Sequence, residues 1–114
     1  MRDMMPNTRI IVADGSFAIT TAKRADTICF EDVSRVVVYK LDALTTDLIC
    51  CDIITGSAGA EQVRTVHEEI YGFEALMLRL EKLPGFDRKW REKVILPPFA
   101  ENRTIAFQRS SAAA

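Results

Sequence analysis

The sequence predicts an α+β fold: a curved antiparallel sheet of about six to seven strands, one or two C-terminal helices and a closing strand. Two observations carry that class. Two runs rich in branched residues, 36–41 and 48–54, flank a short polar connection at 42–47, which is the pattern of paired strands. After Gly72 the hydrophobic period changes, and Phe73, Leu76, Met77, Leu80 and Leu83 fall on one stripe of a helix.

Residues 9–13 form the first strand by β-branched content. Asp14-Gly15-Ser16 is a tight turn with a positive φ expected at the glycine, and 17–21 return as the hairpin partner. Residues 22–26 are polar and loop-like, and 27–30 make a short strand. Glu31-Asp32-Val33-Ser34 is a one-turn connector into the strand 36–41. Beyond the strand 48–54, Gly56-Ser57-Ala58-Gly59 is the most flexible interior stretch. Residues 62–68 read as a strand. The helix from Phe73 stops at Pro84-Gly85. Residues 86–94 form a second short helix with Trp90 and Val94 on one face. Pro97-Pro98 is an extended link, and 104–108 close the fold as a strand.

Apolar residues make up 48% of the chain and charged residues 27%, an ordinary globular balance. Residues 8–109 are expected to form one domain, with 1–7 and 110–114 as flexible termini. The tail Ser110-Ser111-Ala112-Ala113-Ala114 is a frayed end or a cloning remnant. The net charge of −1 supplies no field for nucleic acid or an anionic membrane. Apolar runs such as Val36-Val37-Val38-Tyr39 fall far short of the roughly 20 residues a membrane helix needs. The first residues lack the apolar segment of a secretory signal. Cys29, Cys50 and Cys51 lack metal-ligand spacing, and adjacent strand cysteines point to opposite faces. They read as reduced thiols of a cytoplasmic protein, at least one of them in the core.

Candidate chemistry is sparse. Asp42 and Asp47 could form an acid/base pair, but a wet turn leaves both ionised, and Thr45 and Thr46 serve the turn amides better. His67, with Glu68 and Glu69 beside it, leaves a metal site short of ligands and reads as a half-exposed structural histidine. Ser16, Ser34 and Ser57 lack a nucleophile elbow. Residues 88–93 interleave basic side chains with Trp90, but Asp87 and Glu92 dilute the charge. Trp90 is then a core anchor, or with Arg91 and the Pro97-Pro98-Phe99 link a partner surface. Metals, cofactors and catalytic residues are not expected.

Phe30, Asp32 and Val33, at the entry to the strand 36–41, give the first half a resemblance to bacterial pleckstrin-homology-like domains. The wider pattern is Tyr39-Lys40, Asp42, Thr45, Asp47, Gly72-Phe73, Leu83-Pro84, Trp90, Pro98-Phe99, Asn102 and Thr104. Across residues 9–109 it resembles small uncharacterised bacterial proteins. The resemblance implies a PH-like barrel. It does not imply phosphoinositide binding, because the first turn is short and acidic at Asp14. The chain also ends on a strand where those folds end on a helix. The expected function is a non-enzymatic interaction module for a protein partner or a second copy of itself. A small-ligand or lipid-headgroup binder is the alternative, and an enzyme with an atypical site around His67 the least favoured. Partner or ligand contacts are placed at Trp90, Arg91, Phe99, Tyr39 and His67.

Overall fold

A computed structural model describes residues 7–42, 47–57, 59–95 and 101–109. The expected flexible ends apart from Asn7, the tip of the polar connection at 43–46, Ala58 and the Pro97-Pro98-Phe99 link lie outside the described residues. The elements in chain order are β1 (Arg9–Val12), β2 (Ser16–Thr20), β3 (Ala25–Cys29), β4 (Val33–Asp42), β5 (Asp47–Thr55), β6 (Gln62–His67), α1 (Phe73–Leu80), α2 (Trp90–Ile95) and β7 (Thr104–Gln108). A 3-10 turn over Phe30–Asp32 joins β3 to β4. Every strand pair is antiparallel, in two sheets of order β1-β2-β3 and β6-β5-β4-β7. The α+β class and the strand count agree with the sequence. The strands divide into two sheets, however, and close no barrel among the described residues.

Two local expectations are corrected. The first hairpin is tight, with the Ala13 N–H donating to the Ser16 carbonyl at 2.8 Å, yet Gly15 is not among the residues with positive φ. Residues 22–26 are not all loop. Thr21 Oγ1 accepts from the Lys23 and Arg24 amides and its own N–H donates to the Arg24 carbonyl. That side-chain turn closes early enough for β3 to start at Ala25 and pair with Thr20.

One apolar cluster joins the two sheets and both helices. The four-stranded sheet contributes Val36, Val38, Ile49, Cys51, Ile53, Val66 and Phe107, and the three-stranded sheet Ile10, Phe17 and Ile28. Phe73, Leu76, Met77 and Leu80 enter from α1, and Trp90 and Val94 from α2. Leu83 also packs against this cluster, but from two turns after α1 rather than from the helix, which ends at Leu80. Pro84 accounts for that, since it disfavours helical backbone at the residue before it. α2 starts later than expected because Asp87 caps it: Oδ1 accepts from the Lys89 N–H at 2.9 Å, and the Asp87 N–H is held by the Ala106 carbonyl of β7. At the far end of α2, the buried Lys40 ammonium donates to the Ile95 carbonyl at 2.6 Å and lies 3.4 Å from Asp47. A cation on a helix C-terminus is favourable, and the carboxylate balances a charge that is costly to bury alone.

Candidate functional site

β6 is the outermost strand of the four-stranded sheet. Its register with β5 sets Cys50 opposite His67, Asp52 opposite Thr65 and Ile54 opposite Val63. The Glu68 N–H donates to the Ile49 carbonyl, so Ile49 and Glu68 are a hydrogen-bonded pair. Antiparallel ladders alternate. Arg64 and Val66 therefore turn their backbone groups to β5, while Val63, Thr65 and His67 turn theirs away from it. The His67 carbonyl is taken by the Ile70 N–H. Among the described residues nothing pairs with the backbone of Val63 or Thr65. The opposite edge, β7, is partly closed by the Asp87 bond to Ala106. β1 is likewise tied to Tyr71 through the Ile10 N–H at 2.8 Å.

The outer face of the same sheet is apolar around one polar knot. Val37, Tyr39, Leu48, Cys50 and Ile54 form a second buried cluster there, while Val63 and Ile105 are each 56% exposed. At its centre Asp52 Oδ1 accepts from the Tyr39 hydroxyl at 2.9 Å and from Thr65 Oγ1 at 2.7 Å. The Arg103 guanidinium sits 4.2 Å from the Tyr39 ring centroid and 3.8 Å from Asp52. Burial, with the Asp52 hydrogen bond second, pushes the Tyr39 phenol up to about 12. Burial also raises the Cys50 thiol to about 11, helped by Asp52 and Glu68, and it raises Cys51 as well. These thiols stay protonated near neutral pH, and a thiol is a weak nucleophile beside its thiolate.

The five residues singled out from the sequence do not form one site. Tyr39 and His67 do share a cross-strand row, with Cys50 between them. His67 is not half-exposed, as expected, but 2% exposed. Its Nδ1 accepts from the Glu69 N–H at 3.2 Å, which leaves the proton of a neutral ring on Nε2. That atom is buried and has no partner among the described residues. Such an orphan costs roughly 1–3 kcal/mol.

Trp90 is fully buried, its indole N–H donating to Glu81 at 2.9 Å. Arg91 stacks on the indole and pairs with Glu74 at 2.8 Å, so this end of α2 is internally satisfied. Phe99 lies outside the described residues. Asp52, Thr65 and Arg103 were missed. A signal for Asp52 existed: it alone is charged among Leu48, Cys50, Asp52 and Ile54, which share one strand face.

Two surface clefts are lined by described residues. One of about 550 Å³ lies between β3 and the ends of β5 and β6, lined by Cys29, Glu31, Asp32, Gln62, Arg64 and Arg109 among others. Its guanidiniums are already engaged. Arg64 binds Asp26, Thr55 and Gln62, and Arg109 binds the Val33 and Phe30 carbonyls. The Arg64 hydrogen bond, ahead of its charge, holds the Asp26 carboxyl below its ordinary range. The other cleft, of about 500 Å³, is lined mainly by Ile11, Ile70, Tyr71, Phe73 and Ala75 beside α1. His67 lines neither. Among the described residues no three His, Cys, Asp or Glu side chains converge as a metal site, and no helix is long and apolar enough to cross a membrane. No protein-family model matches the chain, and comparison with curated proteins and with solved structures gives no match.

Proposed function

We propose that the protein is a non-enzymatic interaction module that binds a partner protein by adding one of the partner's strands to β6. The observation that carries the reading is the pair of unmatched backbone positions, Val63 and Thr65, on the free side of an edge strand. An edge of this kind templates pairing with another extended segment. No proline or lysine stands in Gln62–His67, and its one charge, Arg64, is neutralised by Asp26.

The apolar side chains on both faces of β4 and β5 are already buried within the chain, and beside them Val63 on β6 remains exposed at the edge. Enzyme chemistry fits less well, because the buried thiols and the Tyr39 phenol hold their protons and His67 lines neither of the two clefts described above. A small-ligand reading has cleft volume on its side, but the cationic side chains in the polar cleft are already bonded to the protein.

Substituting Val63→Pro tests the reading. Proline removes the outward N–H and places its ring on the open side, a position that edge strands tolerate. The variant is expected to melt close to wild type and to lose the stoichiometric partner that the tagged wild type captures from lysate. A partner held equally by both proteins would overturn the assignment to β6, as would a wild type that captures neither another protein nor itself.

A further inference from the structure

The register of β6 also restricts what its partner can be. We infer that the strand added to β6 is β6 of a second copy, paired antiparallel about a two-fold axis through Thr65. This inference rests on the reading of β6 as the binding edge.

The two-fold axis can pass through few residues, and charge separates them. Centred on Arg64, pairing would set two guanidiniums directly opposite, which is destabilising across a strand pair. Centred on Val66, it would pair only residues 65–67, because the chain turns at Glu68-Glu69. Centred on Thr65, it pairs all of residues 63–67, with Val63 opposite His67 of the second copy and Arg64 opposite Val66.

This register also uses the correct backbone groups. Val63, Thr65 and His67 are the residues whose backbone groups point away from β5; in this register Thr65 exchanges both bonds with Thr65, and the His67 N–H meets the Val63 carbonyl, the His67 carbonyl being already engaged by Ile70. Thr65 meets Thr65, a favourable cross-strand pair. The two four-stranded sheets then run on as one, and the half-exposed Val63 gains a neighbour on the outer face. A contact that repeats itself by a two-fold axis is closed, so it yields a dimer and not a filament.

The test is a symmetric disulfide. Cys29 is the exposed thiol of the chain, so the parent for this experiment carries Cys29→Ser. In a hydrogen-bonded antiparallel pair the Cα atoms stand about 5.5 Å apart, within disulfide reach. Thr65→Cys is expected to give a covalent dimer under mild oxidation. Val63→Cys, whose counterpart lies several residues away along the strand, is expected to stay monomeric on a denaturing gel.

Sedimentation of the unmodified chain across a dilution series should show reversible dimers that Val63→Pro abolishes. The proposal is overturned if Val63→Cys crosslinks as readily as Thr65→Cys, or if the unmodified chain stays monomeric throughout. A monomeric chain that still captures a different protein in a manner sensitive to Val63→Pro would overturn self-pairing alone. Insensitivity to Val63→Pro would overturn the edge reading beneath it.

Discussion

Gly72→Ala is expected to lower the stability of the protein by about 3 kcal/mol or more. Gly72 stands immediately before α1 with φ +93°, a conformation in which a side chain is strained. Strain is the smaller part. A Cβ at this position would lie 2.1 Å from the Ile10 carbonyl oxygen and 2.9 Å from its carbon. Backbone cannot swing aside as a flexible side chain can. The helix would have to move away from β1, and the bond from the Ile10 N–H to the Tyr71 carbonyl would open with it.

Gly85→Ala is the matched control, because Gly85 has φ +86° but open space where its Cβ would go. It should cost only the conformational part, roughly 1–2 kcal/mol. Urea unfolding of both variants checks the difference, and equal midpoints would refute the close approach of Gly72 to β1.

Trp90→Ala should cost about 3–5 kcal/mol, the range for emptying a buried aromatic position. The indole is the largest side chain that is fully enclosed, and it lies in the cluster that joins α2 to both sheets. Trp90→Phe separates packing from polarity. It keeps an aromatic ring but drops the donor to Glu81 Oε2, leaving a carboxylate short of one partner. An intermediate loss is expected for it. Circular dichroism is the appropriate probe, since this is the only tryptophan in the chain and fluorescence would vanish with it. A wild-type melting curve for Trp90→Ala would remove Trp90 from the core.

What was legible in the sequence follows from how local each determinant is. The strands around Val36–Val38 and Ile49–Ile54 declare themselves by branched side chains, and α1 by its stripe, because those signals act within a few residues. The start of β3 was not legible. Ala25 and Asp26 look like loop, and the partner of Asp26 is Arg64, distant along the chain. The division into two sheets depends on the 3-10 turn at Phe30–Asp32, which swings the chain out of the first sheet; a two-residue period names faces but not sheets. His67 looked half-exposed because two glutamates follow it in sequence, whereas burial is set by the tertiary fold, which places it in a row with the buried Cys50 and Tyr39. The open edge was invisible for the same reason: strand order is tertiary, and only the order β6-β5-β4-β7 makes β6 terminal.

Amide hydrogen exchange, resolved residue by residue by NMR in a sample diluted below any self-association, tests the openness of β6 most directly. Exchange reports which backbone N–H groups are held. The amides of Arg64 and Val66 should be protected by β5, and those of Val63 and Thr65 should exchange near the unprotected rate. Val63 and Thr65 amides as slow as those of Arg64 and Val66 in the same dilute sample would mean that the edge is already covered, and would contradict the account.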